Sequence, residues 1–244
     1  MDSDPSQIPV LPIPFVHGLT HFAQSLTSGQ AKIVAIGSST TAGRGNITAY
    51  PGRLLSFIQN DYPKTNIAIV NKGISGQEAP IELQRFDSDV IAEKPDLVIW
   101  QVGTNAIWQS PNLNPPPPSF DETTGAIRDG VVKLCNKTQA DVILMDLQYV
   151  PAVLTPAKKD KAMAMVEAIS ELARDARVNV FRRFAFMKGL YDVEQVSFDR
   201  MVDLTDNDRL HDSDWATQRV AWAVKLAMVG GVNKARSSVA ANIN

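Results

Sequence analysis

Five residues in four short stretches of the sequence carry the groups that acyl transfer requires. Ser39 is the candidate nucleophile, and His211 is the best placed of the three histidines to take its proton. Asp208 lies three residues before His211, so its carboxylate could orient the ring and stabilise the imidazolium. The backbone N–H groups of Ser39 and Gly76, with the side-chain amide of Asn105, could bind an oxyanion. Together these residues indicate nucleophilic catalysis by a serine.

The elements that must position these residues follow an alternating strand and helix pattern. Ser39 directly follows an apolar run at 31–37, which predicts a buried strand ending in a turn. Gly76 and Asn105 follow the predicted strands at 65–71 and 95–103. Further strands are predicted at 141–147 and 178–181, and helices at about 21–26, 48–60, 81–93, 122–137, 158–176, 184–190 and 213–229.

This alternation predicts an α/β fold with a central parallel five-stranded sheet covered by helices on both faces. All strands of a parallel sheet point the same way, so the residues that follow the first three strands must lie along one edge. Ser39, Gly76 and Asn105 should therefore converge, although they are far apart in the sequence. Asp208 and His211 lie in the loop before the last helix, for which Asp212 or Ser213 is a candidate cap.

The clusters resemble the four conserved blocks of the SGNH (GDSL-type) hydrolases, in order and at suitable spacing. The resemblance covers about residues 31–229 and implies a three-layer α/β/α flavodoxin-like fold and ester hydrolysis without a metal or organic cofactor. It also implies Ser39 as nucleophile, Gly76 and Asn105 in the oxyanion hole, and Asp208 and His211 as the rest of the triad. The four stretches are Gly37-Ser38-Ser39 with Thr41-Ala42-Gly43, Gly73-Ile74-Ser75-Gly76, Gly103-Thr104-Asn105 and Asp208-Arg209-Leu210-His211.

One residue departs from that pattern. The first block of the family usually reads Gly-Asp-Ser, whereas Ser38 occupies the place of the aspartate here. That acid is a supporting residue, so the change predicts altered local hydrogen bonding and retained chemistry. In the alternative of a non-catalytic binding module with the same fold, Ser38 would be the first sign that the site has lost its activity.

The proline pattern divides the chain into three parts. Four prolines within the first 14 residues prevent helix and central strand, so residues 1–30 are predicted to form an N-terminal arm. Residues 31–232 are predicted to form one hydrolase domain, and residues 233–244 a flexible tail. A second proline-rich stretch at 111–118 predicts a rigid loop after Asn105.

Composition narrows the classes of partner. The formal net charge is −2 and the basic residues are scattered, so the sequence does not show the basic patch that is typical of nucleic-acid binding. No apolar segment reaches the about 20 residues of a membrane span, and residues 1–7 lack the pattern of a signal peptide, so a soluble chain is expected. Cys135 is the only cysteine and can form no intrachain disulfide. Compartment and oligomeric state are left open.

Rival site types fit the sequence less well. His17 and His21 are four residues apart but lack the acidic residue of a His-Glu-x-x-His zinc site. Neither glycine-rich nucleotide motif is present at 37–45, and there is no Gly-x-Ser-x-Gly elbow of the larger α/β-hydrolase class. Taken singly, Ser39 could be a helix cap and His211 a surface residue. Those simpler explanations do not account for all four clusters meeting at one edge.

These motifs thus predict a serine hydrolase that cleaves short-chain or lipid-like carboxylic esters through an acyl-enzyme. Two alternatives stay open: an esterase that removes O-acetyl groups from a carbohydrate, and a non-catalytic binding module. The expected partner is a small-molecule or carbohydrate ester. Phe57, Ile74, Ile107 and Trp108 are candidates for lining an acyl pocket.

Overall fold

A parallel five-stranded sheet forms the centre of the protein, as seen in a computed structural model that describes residues 9–241. The strands lie in the order β2-β1-β3-β4-β5, and every neighbouring pair is parallel. This is the flavodoxin-like order, so the predicted fold class is confirmed. The strands are β1 (Gln30–Gly37), β2 (Asn66–Gly73), β3 (Leu97–Gln101), β4 (Asp141–Met145) and β5 (Asn179–Phe181).

Eleven α-helices among the described residues surround the sheet and connect its strands. Helices α1, α3 and α11 pack together on one face, and α4, α7 and α8 pack together on the other. The helices are α1 (Thr20–Ser28), α2 (Ser39–Ala42), α3 (Tyr50–Asp61), α4 (Ala79–Gln84), α5 (Phe86–Asp89), α6 (Thr104–Trp108), α7 (Phe120–Lys137), α8 (Lys159–Asp175), α9 (Arg183–Asp192), α10 (Phe198–Met201) and α11 (Asp214–Ala241).

The middle strand shows why these residues form this sheet. All five residues of β3 are buried, which fits a parallel strand that is covered on both faces. The Trp100 ring packs edge-on against Phe86 of α5, with ring centroids 4.7 Å apart. A Cβ added to Gly130 of α7 would lie 2.4 Å from that indole, so the bare glycine lets α7 approach the sheet.

The predicted helix at 81–93 is wrong as a single element. The structure breaks it into α4, α5 and a 3-10 turn at Ile91–Glu93, after which Lys94 is left-handed with φ 50°. Helix α4 begins at Ala79, because the Glu78 side chain accepts a hydrogen bond from its N–H and Pro80 occupies the first turn. The short helices α2, α6 and α10 lie where the sequence predicted turns or irregular chain.

The two ends of the described chain pack against each other. Leu19 N–H donates to Gly231 O at 3.0 Å, and a Cβ on Gly18 would lie 2.9 Å from the Ala235 backbone. The flexible tail predicted for 233–244 is therefore wrong for 233–241, which continue α11. Residues 242–244, like the leaderless start predicted for 1–7, lie outside the described residues.

The described stretch before α1 is extended and joins distant elements. Val10 N–H donates to Glu194 Oε1 at 2.8 Å. His17 N–H donates to Asn179 Oδ1 at 3.0 Å, and Asn179 Nδ2 donates back to His17 O at 3.1 Å. These bonds fasten the predicted N-terminal arm to β5 and to the chain after α9.

Two classes of feature are missing from the part of the chain that the structure describes. None of its helices is both long enough and apolar enough to cross a membrane. The same residues, 9–241, contain no group of three or more histidine, cysteine or acidic side chains arranged to hold a metal ion.

Candidate active site

Ser39 is the first residue of α2, immediately beyond the carboxyl end of β1. The turn before it is fixed by Gln101 at the end of β3, whose Oε1 accepts hydrogen bonds from Ser38 N–H (3.1 Å), Ser38 Oγ (3.0 Å) and Thr41 Oγ1 (3.3 Å). Ser38 is buried, so its side chain supports the turn and leaves Ser39 to face the open edge. The first N–H groups of a helix have no intrahelical acceptor.

Two hydrogen bonds join a serine, a histidine and an aspartate. His211 Nε2 lies 3.0 Å from Ser39 Oγ. On the other side of the ring, His211 Nδ1 lies 2.7 Å from Asp206 Oδ2. A nucleophile in contact with a base, and that base in contact with an orienting acid, is the geometry of a serine hydrolase triad.

Asp206 is fixed by hydrogen bonds to the backbone of its own loop. Its Oδ2 also accepts the backbone N–H groups of Leu210 (3.0 Å) and His211 (2.9 Å), and the residue is buried. Burial alone would raise the pKa of this carboxyl, but hydrogen bonds from the backbone and ring of His211 and from Leu210 bring it below its ordinary value. Asp206 is therefore an anion at neutral pH, suited to fixing the ring tautomer.

The predicted contact of Asp208 with His211 is wrong in this structure. A turn closes between Arg209 N–H and Asp206 O at 2.9 Å, with Arg209 left-handed at φ 54°. This turn folds Asp206 back beneath the histidine and leaves Asp208 exposed on its outer side. A spacing of three residues predicted Asp208, whereas the turn brings Asp206, five positions before the histidine, onto the ring. The signal that could have found it is the aspartate itself, because Asp206 lies in the short polar run just before the motif that ends at His211.

Gly76 and Asn105 are brought together at the same edge. Asn105 Nδ2 donates to Gln77 O at 2.7 Å, beside Gly76, and Gln109 Nε2 donates to Gly76 O at 3.1 Å. Gly76 is exposed and left-handed with φ 80°, a conformation that favours glycine. The bond to Gln77 uses one of the two hydrogens of the Asn105 amide, so the other is free to act as a donor.

The end of β2 and the loop after it pack directly against the end of β1 and α2, the helix that begins at Ser39. Ile74 N–H donates to Gly37 O at 2.9 Å, and Asn71 Nδ2 donates to Thr41 O at 2.7 Å. A Cβ on Gly73 would lie 2.2 Å from Ala42 N, so only a glycine permits this approach. The three sheet-edge clusters thus form one connected surface, as the parallel topology predicts.

Two kinds of cleft open beside these residues. A small one of about 20 Å³ is lined by Ser39 and His211 and, among other residues, by Arg44, Ile47 and Asp212. A larger groove begins with a cleft of about 430 Å³ between the Trp108 end of α6 and Asp208. It continues into a cleft of about 730 Å³ along the proline-rich loop and α8, and the two share Gln109, Pro111 and Lys158.

The four candidate pocket residues have different surroundings. Trp108 lines the nearer part of the groove, and Ile107, which is buried, lines the farther part. Phe57 packs against the core from α3. Ile74 is 44% exposed and does not line the described clefts beside the site.

A buried group of charges lies behind the histidine loop. Arg183 donates to Asp146 O at 3.0 Å and to Gln148 Oε1 at 2.6 Å. Gln148 in turn donates to Leu210 O and accepts from Thr104 Oγ1, which connects the histidine loop with α6. Burial raises the pKa of Asp146 to about 7 and that of Asp212 to about 6, with Arg183 opposing both shifts.

Comparison with known proteins identifies the family of this chain. Its sequence matches the Non-GDSL lipase-like family over residues 6–233. The protein therefore belongs to that family. The description of the family is non-GDSL, and this chain has Ser38 where a GDSL motif has aspartate.

A curated relative adds a partial match. The acetylxylan esterase of Geobacillus stearothermophilus is 36% identical over 93 residues, which cover 34% of this chain and 42% of that relative. The match thus spans less than half of the length of the relative.

Solved structures share the fold at low sequence identity. Axe2, an acetylxylan esterase from Geobacillus stearothermophilus, matches with a TM-score of 0.68 and 23% identity over 83% of this chain and 94% of that one. LAE5, described as an α/β hydrolase enzyme from the metagenome of Lake Arreo, matches with a TM-score of 0.67 and 18% identity over 84% and 96%. Catalytic mutants of Axe2 replace a serine, an aspartate and a histidine, the last two of which are three positions apart.

Proposed function

We propose that this protein is a serine esterase that hydrolyses carboxylic esters through an acyl-enzyme. The observation that carries the proposal is the pair of contacts on the His211 ring, 3.0 Å to Ser39 Oγ and 2.7 Å to Asp206 Oδ2. The esterase names of the relatives and the lipase-like family support the same class of reaction. In this proposal the arrangement is of the SGNH type, with Asp206 as the acid.

Each proton in the reaction has a donor and an acceptor in the proposed triad. Ser39 Oγ attacks the ester carbonyl while His211 Nε2 takes its proton, and Asp206 stabilises the resulting imidazolium. The backbone N–H groups of Ser39 and Gly76 and the amide of Asn105 donate to the oxyanion. The imidazolium then protonates the departing alcohol, which leaves an acyl-Ser39 ester. Water attacks that ester and gives a proton to His211, and the imidazolium then protonates Ser39 Oγ as the carboxylic acid departs.

A second, narrower candidate is an esterase that removes acetyl groups from a carbohydrate. The cleft that touches Ser39 and His211 is small, about 20 Å³, which favours a short acyl group. The groove along α6 and the proline-rich loop is far larger and offers room for a bulky alcohol part. The acetylxylan esterase relatives support this substrate class.

Covalent labelling tests the proposed function directly. A fluorophosphonate probe should label Ser39, and Ser39→Ala should lose labelling and lower kcat for 4-nitrophenyl acetate by about 10⁴- to 10⁶-fold with the fold retained. The neighbouring variant Ser38→Ala serves as the control and should still be labelled at Ser39. Full esterase activity in Ser39→Ala would refute Ser39 as the nucleophile. A wild-type protein that is neither labelled nor active would refute the esterase proposal in favour of a binding module.

A further inference from the structure

A buried carboxylate lies directly behind the two segments that carry Gly76 and Asn105. Glu78 is only 3% exposed and belongs to none of the four sequence clusters. Its Oε1 accepts the N–H of Ala79 at 2.9 Å and thereby caps α4. A cap alone would use one of its two oxygens, so the other contacts of this side chain need their own explanation.

Three further hydrogen bonds run from Glu78 to the turn between β3 and α6. Oε1 also accepts Gly103 N–H at 2.8 Å. Oε2 accepts Asn105 N–H at 2.9 Å and Ala106 N–H at 3.2 Å. One carboxylate thus holds the backbone on both sides of the Asn105 side chain, 27 residues away in the sequence.

The two segments are also joined in the opposite direction. Asn105 Nδ2 donates to Gln77 O, and Gln109 Nε2 donates to Gly76 O. The segment that carries Gly76 therefore accepts two side-chain hydrogen bonds from α6 and the residue after it. In return it supplies the carboxylate that anchors the α6 backbone. These reciprocal bonds join the segment of Gly76 to the segment of Asn105.

The charge state of Glu78 follows from its surroundings. Burial raises the pKa of Glu78, and the four backbone N–H groups oppose that shift. A protonated carboxyl would turn an O–H toward N–H donors with no acceptor to receive it, so the four-donor geometry requires the anion. The neighbouring Glu82 differs: burial first, and then the Glu78 charge, raise its pKa well above the ordinary value, while its Oε2 accepts from Trp100 Nε1 at 2.6 Å.

We propose that Glu78 is a positioning residue for the oxyanion hole. It holds the Asn105 amide and the Gly76 N–H at the separation that the oxyanion needs. This inference rests on the proposed esterase function. Donors to an oxyanion act only when they are fixed in place before the reaction, and misplacement by about 1 Å costs about 100-fold in rate. Glu78 touches no reacting atom and acts through the backbone of Asn105.

The variant Glu78→Gln tests this role with little change in shape. A glutamine offers one carbonyl oxygen, so its NH₂ group must face either the Ala79 and Gly103 pair or the Asn105 and Ala106 pair of donors. We expect kcat for 4-nitrophenyl acetate to fall by about 10- to 100-fold while KM changes less than about threefold. The inhibition constant of phenylboronic acid, which forms a tetrahedral adduct with the serine, should rise by a similar factor.

A double-mutant cycle separates positioning from general damage. If Glu78 acts through Asn105, adding Glu78→Gln to Asn105→Ala should cost less than about threefold more in kcat. Glu82→Gln is the matched control: it replaces a buried glutamate on the same helix that does not contact the α6 turn. The control should leave kcat and the boronate inhibition constant within about twofold of wild type.

The outcomes are distinct from those that test the esterase proposal. A wild-type enzyme that is labelled at Ser39, together with a Glu78→Gln variant of normal kcat, would overturn only the positioning role. Equal losses in both genetic backgrounds would overturn it as well, because they would show that the effect does not pass through Asn105. If Glu78→Gln does not fold, Glu78→Asp is measured in the same two backgrounds, since it keeps the charge but retracts both oxygens.

Discussion

Two aspartates, Asp206 and Asp208, lie a few residues before His211 in the sequence, and only one of them contacts its ring. Asp206 makes the contact with His211 Nδ1, whereas Asp208 is exposed and keeps the spacing found between the aspartate and histidine of the Axe2 catalytic mutants. Spacing alone favoured Asp208, because the left-handed turn at Arg209 leaves no mark in a motif. The proposed nucleophile Ser39 and the proposed base His211 were chosen by residue type and strand topology, and the structure places their side chains 3.0 Å apart.

The two aspartates can be compared as neutral, isosteric variants. Asp206→Asn should lower kcat by about 10⁴-fold, because the amide favours the wrong ring tautomer and removes the charge that stabilises the imidazolium. Asp208→Asn should change kcat by less than about threefold. The measurement is steady-state hydrolysis of 4-nitrophenyl acetate, with circular dichroism as the check on folding. The reverse ranking would show that the loop rearranges to use Asp208.

At the scale of elements, the strands and the longer helices were predictable from their apolar patterns, and the shortest helices were not. The five strands and the helices α3, α7, α8 and α9 are confirmed within a few residues. Helices α2 and α6 each have five residues or fewer, too few for an apolar period to emerge. They exist because Gln101 and Glu78 fix the turns in front of them through tertiary hydrogen bonds. The joined clefts beside α6 likewise depend on tertiary packing.

The difference in size between the small cleft at Ser39 and the large groove beside α6 predicts which ester substrates are preferred. The catalytic efficiency kcat/KM should be highest for the acetate in a series of 4-nitrophenyl esters and fall by about tenfold or more at octanoate, because a long acyl chain exceeds the small cleft. Trp108→Ala, in the groove, should raise KM for an acetylated xylo-oligosaccharide more than for 4-nitrophenyl acetate.

The exposed residue Val132 of α7 provides the control variant, Val132→Ala, which should affect neither substrate. Faster hydrolysis of octanoate than of acetate would contradict the short-acyl proposal. An equal effect of Trp108→Ala on both substrates would contradict the assignment of the groove to the alcohol part.

For the whole molecule, the buried acids predict how stability depends on pH. Asp146 and Asp212 have pKa values of about 7 and about 6 in the folded protein, above their ordinary value near 4. The folded state therefore binds more protons than the unfolded state between about pH 4 and 7. The free energy of unfolding should fall as the pH rises through that window.

Urea unfolding at pH 5 and pH 8 measures this dependence. Asp146→Asn should reduce the fall in unfolding free energy by about 1–3 kcal/mol, because the neutral amide does not ionise and its oxygen can still accept the Phe184 N–H. Acids with lowered pKa values, such as Asp206, stay ionised at both pH values and cancel from the comparison. An unchanged slope in the variant would show that Asp146 is already charged beside Arg183.

The extended arm has a consequence for the order in which the molecule can be assembled. Val10 and His17 bond partners that lie 184 and 162 residues later in the chain, and Leu19 bonds the backbone of Gly231. A ribosome releases the arm long before it releases those partners, and closing so long a loop yields no contacts until the sheet exists. The strands can pair in the order in which they emerge, whereas the arm has no partners until those later residues have been made. The first described stretch to be synthesised is thus one of the last to be fixed in place.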